Sequence, residues 1–136
     1  MTTISDILGI STPEEFSARA LDLFRLQAER CAPYRRYIEL LAIDPATITR
    51  VEEIPMLPIE LFKSEDVYSG EGAPEIIFTS SNTGATVASR HLMASAEDYR
   101  KTFLTAFTQF YDDPSKWSIY GLLPNYLERE GSSLVY

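Results

Sequence analysis

The chain has 136 residues, of which 45% are hydrophobic and 24% are charged. These proportions are typical of a globular unit with a real core, and they exclude a disordered tail, a collagenous stretch and a disulfide-stapled miniprotein. The formal net charge of −8 argues against general binding to nucleic acid or to anionic membranes, because both would repel the chain.

Targeting and cysteine content point to a reducing compartment. The first residues contain no basic region leading into an apolar run, and nothing in the sequence approaches a membrane-spanning length. The single cysteine, Cys31, excludes an internal disulfide and a cysteine metal cluster. We therefore expect a cytoplasmic protein.

The first strong helix signal begins at Thr12. This residue suits a helix N-cap, Pro13 suits the first turn, and Glu15 completes a capping box. An apolar face then recurs at helical spacing with one polar interruption, and it comprises Phe16, Ala20, Leu23, Phe24, Gln27, Ala28 and Cys31. The pattern predicts a helix from residue 12 to about residue 30, which Pro33 should end.

A shorter helix is predicted over residues 34–41, before Asp44 and Pro45 break it. Residues 54–63 combine two prolines with several apolar side chains. They predict an irregular segment laid over the core, with one helical turn after Pro58. The N-terminal part is thus expected to be helical over residues 12–42 and irregular over residues 43–74.

Residues 75–136 are expected to form an α/β region. A β-branched and aromatic run at 75–79 predicts a buried strand, and residues 87–93 predict the returning strand of a hairpin. Ser95 then caps a helix that Asp112, Asp113 and Pro114 end. A further buried strand is predicted over residues 117–123. The inner face of the helix is predicted to be the aromatic stripe of Tyr99, Phe103, Phe107 and Phe110.

The fold class predicted by this order is α/β, with N-terminal helices packed on a partial, mixed β-sheet. Ser132 and Ser133 resemble a helix cap, but only three residues follow them. We therefore expect one truncated unit, residues 1–136, that folds at least in part and does not catalyse alone. Its exposed apolar surface should favour self-association. This surface is expected around Leu122, Leu123, Leu134, Val135 and Tyr136.

The best chemical signal is the polar loop that follows the first predicted strand. It comprises Thr79, Ser80, Ser81, Asn82, Thr83 and Gly84. Hydroxyls, an amide and backbone N–H groups in a glycine-containing turn offer many donors to phosphate oxygens. The Gly-Lys-Ser/Thr ending of a P-loop is absent, and taken alone such a run is more often a hairpin connection.

The loop resembles the T-S-G-T-T-G phosphate loop of acyl-adenylate-forming enzymes. The following Ser89-Arg90-His91 is similar to the corresponding segment of the acyl-protein synthetases that serve the fatty acid reductase of luminous bacteria. Three further segments look like that branch: residues 54–63, 123–129 and 132–136. The resemblance spans residues 16–136 and implies the N-terminal part of the large domain of an adenylate-forming enzyme more than twice as long.

The resemblance implies ATP-dependent, AMP-forming activation of a carboxylic (fatty) acid. A carboxylate oxygen attacks the α-phosphorus, pyrophosphate leaves, and the acyl-adenylate passes to a thiol. ATP and Mg²⁺ are the implied cofactors, and an acyl reductase or carrier protein is the implied partner. Matched position by position, Thr79, Ser80, Thr83 and Gly84 agree with the family loop.

The loop also departs from the family pattern. Ser81 replaces a glycine, Asn82 replaces a threonine, and Val87 lies nearest the place of the usual lysine. These departures support an alternative, namely a non-catalytic, degenerate domain retained to bind a carrier protein or reductase partner. The sequence assigns no catalytic residue and no metal ligand.

Two other candidates have simpler structural interpretations. Arg90 and His91 are basic residues near the loop, but adjacent strand residues point to opposite faces, so one ligand should not contact both. Cys31 is a potential nucleophile. Its place on the apolar face of the first helix favours a core role.

Overall fold

The computed structural model describes residues 3–80, 87–121 and 131–136. Within them, the protein combines helices with a small two-stranded antiparallel sheet. The helices are α1 (Ile4–Leu8), α2 (Pro13–Arg30), α3 (Ala32–Leu40), α4 (Leu61–Ser64) and α5 (Ala96–Tyr111). The strands are β1 (Ile76–Thr79) and β2 (Arg90–Met93).

The capping box predicted for α2 is confirmed. The Thr12 hydroxyl accepts a hydrogen bond from the Glu15 N–H at 3.2 Å, and the Glu15 carboxylate accepts one from the Thr12 N–H, also at 3.2 Å. The helix ends at Arg30, with Cys31 as its C-cap, so Pro33 does not end it and instead lies in the first turn of α3. A proline fits there because the first helical N–H groups have no intrahelical acceptor.

The sequence interpretation missed α1. The feature of the sequence that marks this helix is another capping box. The Thr3 hydroxyl accepts a hydrogen bond from the Asp6 N–H, and the Asp6 carboxylate accepts one from the Thr3 N–H. The apolar run that follows is too short for a periodicity argument, so local capping was the only available evidence.

The main core lies between α2, α3 and the irregular segment after them. Its buried members are Phe24, Ala28, Cys31, Tyr34, Ile38 and Ile48. The irregular segment contributes partly buried side chains such as Ile54, Leu57 and Val67. The one helical turn predicted after Pro58 is present as α4, so residues 54–63 do cover the core as expected.

The predicted hairpin is confirmed, with Phe78 opposite His91 and Thr79 opposite Arg90. Phe78 is buried and contacts the Tyr99 ring of α5, whose centroid is 4.8 Å away. Among the described residues this antiparallel pair is the whole sheet, so the predicted mixed character is not seen there.

The predicted buried strand over residues 117–123 is wrong for its described part. Residues 114–116 form a 3-10 turn, and residues 117–121 are exposed and form no strand. Leu122 and Leu123 lie outside the described residues. A strand is stable when a neighbour satisfies its backbone groups. The described residues offer 117–121 no such neighbour.

The prediction that the aromatic stripe of α5 is helix core is also wrong for most of its length. No residue of α5 is buried, and Phe103 and Phe110 are exposed. The small sheet covers only the beginning of the helix, where Tyr99 meets Phe78 and Tyr136. At the C-terminus, Leu134 and Tyr136 are exposed as predicted, while Val135 is half-buried.

Candidate functional site at the end of strand β1

The predicted phosphate loop starts where β1 ends. Thr79 is the last residue of the strand and Ser80 follows it. The remaining candidates, Ser81, Asn82, Thr83 and Gly84, lie outside the described residues. The described part of the site consists of Thr79, Ser80 and the groups that surround them.

Ser80 and Ser89 close the described part of the hairpin. The Ser80 N–H donates to the Ser89 carbonyl at 3.1 Å. The Ser89 N–H donates to the Ser80 Oγ at 3.0 Å. One hydrogen bond of the pair therefore joins two backbone groups, and the other ends on a side-chain oxygen. Part of the hydrogen-bonding capacity of Ser80 thus serves the hairpin itself.

The outer edge of β1 is occupied by Gly131. The Thr79 N–H donates to the Gly131 carbonyl at 2.8 Å. Gly131 has φ +79°, and a Cβ there would lie 3.2 Å from the Thr79 Oγ1 and 3.3 Å from the Ile77 carbonyl oxygen. Glycine is favoured on both counts, because the backbone conformation is left-handed and the approach to the strand is close.

The two basic residues near the loop have different partners. The Arg90 Nη1 lies 2.6 Å from the Asp66 Oδ1, in a partly exposed ion pair. His91 stacks on Phe62 with a centroid distance of 5.2 Å, and its Nε2 lies 3.3 Å from the Ser89 Oγ. The two side chains thus have separate partners, which agrees with the alternation argument, and the contacts of His91 support a structural role for it.

The thiol of Cys31 belongs to the core, as predicted. The residue is 3% exposed and is flanked by Tyr34, whose hydroxyl donates to the Pro55 carbonyl at 2.7 Å. Burial, with smaller contributions from Tyr37 and Cys31, raises the pKa of Tyr34 to about 12. Both side chains therefore pack in the core, Cys31 as a small apolar group and Tyr34 through its ring and its hydrogen bond to Pro55.

A cavity that the sequence interpretation missed lies beside Cys31 and Tyr34. It has a volume of about 200 Å³ and is bounded by the α2–α3 junction, residues 54–57 and residues 67–69. The Tyr68 hydroxyl at its wall is buried and has no hydrogen-bond partner among the described residues. No sequence motif marks this cavity, since its walls come from four separate segments, the fourth being α4 through Phe62.

The described residues contain no group of three or more His, Cys, Asp or Glu side chains placed to hold a metal ion. Nor does any helix in that part of the chain combine the length and the apolar character needed to cross a membrane.

Comparison with known proteins identifies no relative. No protein-family model matches the chain, and no significant match is found among curated proteins or solved structures.

Proposed function

We propose that this chain is the N-terminal part of an ATP-dependent, AMP-forming ligase that activates a carboxylic acid, of the fatty-acid class, for transfer to a thiol. The observation that carries the proposal is the T-S-S-N-T-G run of residues 79–84, which starts at the last residue of β1. Residues Thr79 to Gly84 would hold the phosphates of ATP, and Mg²⁺ would supply charge neutralisation between two anionic reactants.

The position of Thr79 supports this assignment. Strand β1 is held from one side by β2 and from the other by the bond between the Thr79 N–H and Gly131. A loop that starts from a strand fixed at both edges starts from a defined place, and defined placement of donors is what phosphate binding requires.

The test is ATP–pyrophosphate exchange, measured with the full-length protein that carries this sequence and a panel of carboxylic acids. We expect exchange above background with at least one fatty acid. Thr83→Ala should slow it by about tenfold or more, because single preorganised donors contribute at least that much elsewhere. Thr102→Ala, on the exposed surface of α5, is the matched control and should leave the rate unchanged.

A second candidate function is a non-catalytic domain that binds a carrier protein or reductase partner. It is favoured by the bond from the Ser89 N–H to the Ser80 Oγ, which uses a loop hydroxyl within the hairpin. The substitutions at Ser81, Asn82 and Val87 point the same way. Absence of exchange with every acid, in a protein that still binds its partner, would favour this candidate.

A further inference from the structure

An aromatic patch lies at the C-terminal end of α5 and in the segment after it. We define the patch as Phe110, Tyr111, Trp117, Ile119 and Tyr120, which are respectively 80%, 55%, 53%, 73% and 93% exposed. Ring contacts make its first part continuous, since Tyr111 lies 6.5 Å from Phe110 and 6.1 Å from Trp117, centroid to centroid. Monomeric proteins rarely leave so large an apolar surface open without a use for it.

The tryptophan of the patch is held in place. The Trp117 Nε1–H donates to the Tyr111 carbonyl at 2.6 Å, and the indole packs edge-on against the Tyr111 ring. The indole N–H of Trp117 thus has a hydrogen-bond acceptor within the protein, while half of the residue stays exposed. A fixed aromatic side chain loses little conformational entropy on association, and Trp and Tyr are the residue types that most often anchor interfaces.

The patch carries no charge that would select a charged partner. Residues 102–111 and 117–121 contain no Asp, Glu, Lys or Arg. Of the three charged residues between these stretches, Lys116 forms an ion pair with Asp112, and Asp113 leaves one negative charge beside the patch. Nucleic acid and anionic lipid would need free basic groups at this surface, whereas the uncharged rings of the same patch on a second molecule need none.

The exposed area matches what a homodimer needs. With about 200 Å² for a fully exposed aromatic residue, the four aromatic members expose on the order of 550 Å². A standard interface buries about 800 Å² per partner, of which about 65% is apolar in homodimers. The patch therefore supplies the apolar part of one such interface.

We propose that the aromatic patch is the self-association surface of this protein, and that it binds the same patch on a second copy across a two-fold axis. The proposal goes beyond the ligase function and does not depend on it. Its residues also differ from those of the surface expected from the sequence, which lay around Leu122, Leu123, Leu134, Val135 and Tyr136.

Sedimentation and intrinsic fluorescence of the chain test the proposal together. We expect a monomer–dimer equilibrium with Kd on the order of 10 μM. Trp117 is the single tryptophan, so its emission should shift to shorter wavelength as concentration rises and the indole leaves water. Raising NaCl from about 0.05 to about 0.5 M should tighten the dimer, because salt screens the repulsion between two chains of charge −8.

Two matched variants separate this patch from other apolar surface. Phe110→Glu should raise Kd by about thirtyfold or more, since it places a charge in the interface core. Leu40→Glu alters a residue of α3 with the same 80% exposure and should leave Kd unchanged. Circular dichroism confirms that both variants fold.

Several results would overturn the proposal. They are a monomer at about 200 μM, association beyond the dimer, equal effects of the two variants, and a dimer whose formation leaves the Trp117 emission unchanged. Binding of the monomer to phosphatidylcholine vesicles through Trp117, without dimerisation, would instead assign the patch to a membrane surface.

Discussion

Removal of one hydroxyl from the core should lower the stability of the protein by a measurable amount. Tyr34→Phe deletes the donor that bonds the Pro55 carbonyl at 2.7 Å and joins α3 to the irregular segment. The ring itself stays, so its edge-on contact with Phe24 and its stacking on Tyr37 are retained. The variant therefore isolates a single hydrogen bond.

The expected loss is about 1 kcal/mol in the free energy of unfolding, and up to about 2 kcal/mol if the Pro55 carbonyl stays without a donor. For a chain of this length, that corresponds to a decrease of about 3–6 °C in Tm. Urea denaturation at pH 7 followed by circular dichroism measures it. Tyr120→Phe is the control when stability is measured on the monomer, at protein concentrations well below the expected dimer Kd, because Tyr120 is almost fully exposed there and should show no change.

The difference in the free energy of unfolding between the wild type and Tyr34→Phe should also depend on pH. Burial raises the pKa of Tyr34 from 10 to about 12, so the folded state keeps the phenol proton where the unfolded state releases it. A raised pKa contributes stability that is fully present below pH 10 and is lost as the pH rises toward 12. The stability advantage of the wild type over Tyr34→Phe should therefore shrink across that range. An advantage that is absent at pH 7, or constant from pH 10 to 12, would refute the assignment of this hydroxyl.

Three further predictions concern the start of α2 and the outer edge of β1. Thr12→Ala should cost about 1 kcal/mol in urea denaturation because it removes the N-cap of α2. Hydrogen bonds from Ser11 and Thr12 lower the pKa of Glu15 below 4.5, so this carboxylate contributes stability above pH 4.5 that is lost as the pH falls through its folded-state pKa. Glu15→Gln should make acid unfolding less steep, and an unchanged acid transition would contradict this. Gly131→Ala should speed hydrogen exchange at the Thr79 amide, whereas Gly72→Ala should not, because Gly72 also has positive φ but faces open space. Equal exchange in both variants would show that Gly131 does not hold the strand edge.

The elements that the sequence predicted well are those specified by neighbouring residues. The capping box of Thr12 and Glu15 predicted the start of α2, and two β-rich runs separated by a short polar sequence predicted the hairpin. Cap bonds and side-chain periodicity act over three or four positions, so they can be recognised without knowledge of the fold. The core position of Cys31 followed from the same periodicity.

Tertiary structure alone decided which apolar faces are covered. The apolar spacing of Phe103, Phe107 and Phe110 predicted a buried stripe, but only the Tyr99 end of α5 meets the sheet. Residues 117–121 have the composition of a buried strand, and no described neighbour pairs with them. Burial depends on a partner surface that is distant in sequence. Neither the periodicity of α5 nor the composition of 117–121 specifies whether that surface exists.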